Sequence, residues 1–562
     1  ATSALIAPPR TLPLHPSLAQ GRAWGLMSQI YAARSESSWG MGDLADLAET
    51  ASWSGEELGA DFVLVNPLHA AQPVPPMEAS PYLPATRRFA SPLYLRVEDI
   101  AEMSLLSDRQ RARVSDLAER ARASSTDLID RDAIWSAKGE ALAMLFHAPR
   151  SARRQRQFDR YVRSEGTGLV DFATWCALVE EHGMPWRLWP EELQHHESEA
   201  VRQFREEHAE AVEFHMWLQW QIRLQLEQAQ REAIESGMSI GVVHDLAVGV
   251  HPDGSDAWAL QDALVHAVTV GAPPDQFNQQ GQGWAQPPWD PVRLAELGYA
   301  PYRDMLRTVL RDGGGIRIDH ILGLFRLWWI PNGRSPKHGT YVSYDADALI
   351  GILALEAHRV GAVVIGEDLG TVAPTLRETM LGRGIHGTSI LWFEWRDDEF
   401  LPPEAYRALC MASVTTHDLP PSAGYLTLTH VDVRGRLGLL ERSMEEEKAV
   451  EAESINAVVS AVAARGLLPE GTTVVPDSPQ DLVDDVVLGL HAYLVQSPAK
   501  ILGVAVPDLV GDRRPVNQPG TDEEYPNWKV PVSGPDGEPV TLEQIEASPF
   551  AKRLAAVMRG GQ

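Results

Sequence analysis

Asp319, Glu367 and Asp418 are three carboxylates, each at the far end of its own short apolar segment: GGGIRIDHILG, AVVIGEDLG and ASVTTHDLP. They lie 48 and 51 residues apart, room for a strand and a helix in each interval. Each segment reads as a buried parallel strand, a β-branched run followed by polar residues where the strand ends. In a (β/α)8 barrel the reacting groups sit at the C-terminal ends of several strands. Three acids converging on that rim suit a glycosidic bond: a carboxylate nucleophile, a carboxylic acid opposite it, and a third group that holds the sugar.

Asp319 suits the nucleophile. Arg317 lies two residues earlier, so both side chains leave one face of the strand, and a guanidinium there favours the ionised carboxylate. A buried Arg–Asp pair closing the barrel mouth is the plainer explanation of the same residues. Glu367 suits the acid/base, because its extra methylene extends its reach and a second carboxylate nearby keeps it protonated. Its neighbour Asp368 is expected to cap the following helix. Asp418, preceded by His417, suits a grip on two sugar hydroxyls, although capping the Pro-Pro turn behind it would also account for it.

Eight strand-like segments occur along the chain: 23–32, 61–70, 239–250, 315–323, 362–370, 387–395, 412–420 and 499–509. Most are separated by helix-like sequence, and that alternation predicts an α/β chain closed as a (β/α)8 TIM barrel. The chain then divides into an N-terminal extension (1–22), barrel strands 1–2 (23–70), a large, mainly helical insertion (71–238) and strand 3 (239–250). After these come an active-site loop insertion rich in Gly, Pro and Gln over the barrel mouth (251–300), strands 4–7 (301–420), a helical insertion (421–498), and strand 8 with the C-terminal segment (499–562). Within 71–238, the stretch from Ala200 to Gly237 has helical spacing and no internal cap, which suits one long helix or two.

Composition narrows the class. With 49 basic and 77 acidic residues the formal charge is −28, which disfavours nucleic acid as a partner. Basic residues in 150–160 read as a solvated helix face, and His195 and His196 as surface residues without metal-site spacing. Two cysteines, Cys176 and Cys410, give no disulfide framework and suit a reducing cytoplasm. No apolar stretch is long enough to span a membrane. No cofactor or metal is expected, because the chain carries no Gly-rich phosphate loop and no compact Ca²⁺ loop. The missing initiator Met fits either a processed chain or one truncated from a longer protein. Seventeen Trp against twelve Phe suits stacking on sugar rings, with most of the Trp in the core.

At these residues the chain resembles the α-amylase clan, and within it glycoside hydrolase family 77, the amylomaltases or 4-α-glucanotransferases. The flanking motifs carry the likeness: SPY at 80–82, GAPPDQFNQQGQGWAQPPWD at 271–290 and NQPGTDEEYPNWKVP at 517–531. The likeness spans about Trp24 to Pro531. It implies Asp319 as nucleophile, Glu367 as acid/base and Asp418 as transition-state stabiliser. It further implies that Arg317 and His417 support the bound sugar, that Tyr82 stacks beside the cleavage point, that Trp284 covers the acceptor side and that Asp245 organises the site from strand 3. The strand-3 motif departs from the shorter family members, reading His-Asp-Leu-Ala where they have Gly-Asp-Leu-Pro. The implied reaction moves α-1,4-glucan segments from maltose, maltodextrins or amylose onto glucose or another maltodextrin. The carboxylates alone serve hydrolysis equally well, and a non-catalytic glucan-binding barrel is a further alternative that three intact acids argue against.

Overall fold

The computed structural model describes residues 5–274, 280–370, 372 and 374–560. In chain order its strands begin with β1 (Ala23–Ser28), β2 (Phe62–Val65), β3 (Gly241–Leu246), β4 (Val268–Ala272) and β5 (Gln282–Gly283). There follow β6 (Gly315–Ile318), β7 (Arg326–Pro331), β8 (Thr340–Ser343), β9 (Val363–Gly366) and β10 (Gly387–Ile390). The last are β11 (Trp395–Arg396), β12 (Glu399–Phe400), β13 (Cys410–Ser413) and β14 (Ile501–Ala505).

Eight of them form one parallel sheet in the order β10-β13-β14-β1-β2-β3-β6-β9. Each lies within one of the eight segments expected as a barrel strand, or within two residues of it for β13. The ends of the sheet meet where Gly366 N donates to His386 O at 2.7 Å and His386 N to Val364 O at 3.0 Å. This junction makes the sheet a (β/α)8 barrel. Short apolar runs such as Phe62–Val65 and Val363–Gly366 are buried along their whole length, as expected of strands covered on both faces.

The chain between β2 and β3 is mainly helical. A helix spans Asp108–Ser124, its start fixed by a reciprocal Ser107–Gln110 capping box. The stretch after Ala200 is two helices, Glu199–Glu207 and Ala209–Glu235, broken at His208. Buried polar side chains tie the insertion to the barrel and knit it internally. Arg96 donates to Asp43 at 2.7 Å and Asp46 at 2.8 Å, the two acids that begin the first barrel helix. Lys138 is fully buried and donates to the carbonyls of Leu93 and Leu95. Each buried charge is thereby compensated, as desolvation demands.

One feature differs from expectation. The segment 251–300 is more than a loop: β4 and β5 pair there and continue through β7 and β8 as a four-stranded antiparallel sheet, β5-β4-β7-β8. The hairpin RLWWIP…TYVS therefore belongs to this sheet and interrupts the chain between β6 and β9. The stretch 275–279 of the expected mouth loop lies outside the described residues. Among the described residues no helix is long and apolar enough to cross a membrane, and no cluster of His, Cys, Asp or Glu is suited to a metal.

Candidate active site

The site begins with register. Asp245 on β3 faces Arg317 on β6 across the ladder, so both project from the same side of the sheet. Arg317 Nη1 donates to both oxygens of Asp245 at 2.7 Å, and its other terminal nitrogen stands 3.2 Å from Asp319 Oδ1. Asp319 is the first residue beyond β6, and Glu367 the first beyond β9. The wall they share is a cavity of about 250 Å³ whose charged lining includes Asp245, Arg317, Asp319, Glu367, His417 and Asp418.

Glu367 is held by main chain. Leu369 N donates to its Oε1 at 2.6 Å and His320 N to its Oε2 at 3.0 Å. Asp418 is reached from the C-terminal segment, where Asn517 Nδ2 donates to Oδ1 at 2.8 Å, and His417 Nε2 stands 3.4 Å from Oδ2. The Tyr82 hydroxyl donates to Asp245 Oδ2 at 2.8 Å. Its ring stacks on His417 with centroids 4.9 Å apart and leans on Trp528 at 5.4 Å. Trp284 follows β5, its Nε1 donating to Gln282 at 3.0 Å, and meets His320 edge-on at 5.2 Å. All eight residues expected at the site thus gather around one cleft, with Trp284 joined to it through His320.

Electrostatics follow from burial. Desolvation pushes Asp319 up to about 7, with Arg317 pulling the other way and Asp245 adding to the rise. Glu367 is also raised by burial, against the pull of Arg317 and of its two main-chain donors. Burial works against the charge on Arg317, but Asp245 and Asp319 outweigh it and hold the guanidinium well above its usual value. The cleft therefore presents a fixed cation beside two carboxyl groups, Asp319 and Glu367, that burial makes slower to give up their protons.

Several features were not legible in the residues singled out. Among the described residues Asp368 accepts from no main-chain amide of the next helix: it is fully buried, accepts from Thr388 N at 2.8 Å, pairs with Arg407, bracing β9 to β10, and accepts from Arg377 Nε at 3.3 Å within the helix that starts at Pro374. Asn517 and Trp528 come from the NQPGTDEEYPNWKVP stretch, in which Asn527 Oδ1 accepts from Gln518 N at 2.8 Å and Nδ2 donates to the Asp522 carbonyl at 2.9 Å. That cross-linking shapes the segment so that Asn517 reaches Asp418. The unusual His244 points away from the cavity toward the Asp312 carbonyl, filling space that a side chain at Gly313 would occupy.

Comparison with known proteins agrees with this architecture. A family model described as 4-alpha-glucanotransferase matches residues 28–536. The chain is 52% identical over 570 residues to the 4-alpha-glucanotransferase of Mycobacterium tuberculosis (strain ATCC 25618 / H37Rv), covering all of this chain and 78% of that protein. The crystal structure of amylomaltase from Corynebacterium glutamicum superposes with a TM-score of 0.90 at 44% identity, over 98% of this chain and 77% of that one. An amylomaltase from Streptococcus agalactiae, solved with acarbose, shares the fold at a TM-score of 0.73 and 17% identity, over 96% of this chain and the whole of that one.

Proposed function

We infer the chemistry of this cleft from one premise: the chain belongs to the 4-alpha-glucanotransferase family, glycoside hydrolase family 77. It is an enzyme that transfers α-1,4-glucan segments between maltodextrins or onto glucose, by double displacement with retention. Asp319 attacks the anomeric carbon while Glu367 gives its proton to the glycosidic oxygen, so the leaving chain departs with a 4-hydroxyl and a glucosyl ester forms. An acceptor 4-hydroxyl then loses its proton to Glu367 and attacks the same carbon, which restores the Asp319 carboxylate.

Arg317 keeps the nucleophile oriented by tying it to Asp245. Asp418 and His417 take the sugar hydroxyls, with grip that strengthens as the ring flattens toward the transition state. Tyr82 presents an aromatic face beside the cleavage point, and Trp284 covers the acceptor side. The observation that carries the reading is the shared cavity of Asp319, Glu367 and Asp418 beside the fixed Arg317. Maltose, maltodextrins and amylose are the donors and glucose is an acceptor.

Incubation with maltotriose alone tests this. Longer maltodextrins together with glucose, and few new reducing ends, are expected; only shorter sugars would mean hydrolysis. Trp284→Ala should lower the ratio of transfer to hydrolysis about fivefold, since water gains access when the aromatic cover is lost. An unchanged ratio would remove Trp284 from the acceptor side.

Asn517→Ala leaves Asp418 without its 2.8 Å donor. A hydrogen bond to a charged group is worth about 1.5–3 kcal/mol, so kcat should fall by about 10- to 100-fold. The Asp418 side chain is 54% exposed, so water replaces the lost donor in the resting enzyme and thermal stability should stay unchanged. A large drop in melting temperature with kcat intact would make Asn517 a structural residue only.

A further inference from the structure

We propose that His320 is a positioning residue that couples the Trp284 loop to the orientation of Glu367. The inference rests on the roles given above to Trp284 and Glu367. Three features of one residue support it.

His320 follows the nucleophile directly and adopts φ 45° and ψ 61°, the left-handed region. A residue with a Cβ meets its own carbonyl there, and glycine is the residue that enters it freely. The bend aims the His320 N–H at Glu367 Oε2, 3.0 Å away, while the next amide, Ile321 N, donates to the Glu367 carbonyl at 3.0 Å. The turn after β6 is therefore clamped over the end of β9, and the tilt of His320 sets one of the two main-chain donors on the Glu367 carboxyl. Its ring packs against Trp284 in a T-shaped contact, with centroids 5.2 Å apart and planes at 80°. One side of His320 touches the acceptor loop and the other holds the acid/base.

Burial alone depresses the imidazole to about 4. Near neutral pH the ring is uncharged and adds no charge beside Glu367. The charged groups that act on Glu367 are Arg317 and Asp319 from the β6 end and Asp368 beside it. His417 and Asp418 line the same cavity. All of them remain in place when only residue 320 is changed, so a change in the Glu367 limb of the pH profile would report the amide.

The two halves separate by substitution. His320→Gly keeps the amide and accepts the same backbone angles, but removes the ring. With maltotriose it should lose transfer relative to hydrolysis about fivefold, as Trp284→Ala does, and the double variant should lose little more. Its basic limb of kcat/KM should stay where the native enzyme has it.

His320→Val resists the left-handed bend and tilts the amide away. A carboxylate deprived of a donor holds its proton more tightly, so the basic limb should move up by about one pH unit. His320→Ala should fall between Gly and Val, which keeps the ordering readable if the valine variant folds poorly. A wild-type product ratio in His320→Gly, additive losses in the double variant, or a limb that does not move along Gly, Ala and Val would overturn the coupling. Trp284→Ala measured alongside separates the two ideas: if it leaves the product ratio unchanged, the acceptor-loop reading fails, whereas an effect there without one in His320→Gly defeats only the coupling.

Discussion

Asp319→Asn should abolish turnover while raising the melting temperature, and the second effect should depend on pH. The amide cannot attack the anomeric carbon, so kcat should fall by on the order of 10⁵-fold, as when a covalent nucleophile is removed. Binding of maltodextrin should persist, since Arg317, His417, Asp418 and Tyr82 remain. The stability effect has a separate cause. Desolvation lifts Asp319 to about 7 in the folded protein, while the unfolded chain releases that proton near pH 4. Between those values the folded state holds a proton that the unfolded state has lost, so stability falls as pH rises through the window and stays low above it.

Asparagine never ionises and escapes the loss. Three pH units correspond to about 4 kcal/mol, and water reaching the 22% exposed side chain reduces that. A gain of a few degrees at pH 8 that vanishes near pH 4, read by calorimetry, is the expected pattern. A variant less stable than the native protein at pH 8 would mean that the Arg317–Asp319 pair stabilises the fold, returning Asp319 to the plainer role of closing the barrel mouth.

The barrel was legible because its strands are local. Runs such as VVIG carry their own signal in β-branched side chains, and after β6 and β9 a carboxylate marks where the run ends. The small antiparallel sheet was not, because β7 gains its place only by pairing with β4 on one side and β8 on the other, contacts set by the tertiary fold. Asp368 shows the same limit. Its sequence setting suits a helix cap, yet it meets the following helix through the Arg377 side chain, and its other partners, Thr388 and Arg407, come from more distant segments. Asn517 lies 99 residues from the carboxylate it serves, and only the motif around it hinted at a task. At His320, nothing in RIDH announces a left-handed backbone, since spacing arguments concern side chains and the Glu367 contact is made by an amide. Residues whose side chains line the cavity could be picked out from the sequence; those placed there by backbone contacts or by distant partners could not.

That distinction bears on Glu367, the carboxyl gripped by two amides. Glu367→Gln should slow turnover of maltotriose by about 10³-fold, within the range for loss of a general acid. The loss should depend on the leaving group. A maltosyl fluoride expels fluoride without a proton, so formation of the ester on Asp319 should proceed. Its breakdown needs a base to deprotonate the incoming hydroxyl, and that base is gone. The ester should accumulate, adding the mass of one maltosyl unit to the peptide that contains Asp319. In the unmutated enzyme the 2.6 and 3.0 Å donors hold the carboxyl in place for both half-reactions. The glutamine amide can accept from only one of them, so Glu367→Ala is the cleaner background for rescue. Azide entering the vacated space needs no base, and should release α-maltosyl azide and restore the rate. A label on any residue other than Asp319 would break the assignment of roles, and failure of azide to accelerate release from Glu367→Ala would place the missing proton transfer on another group.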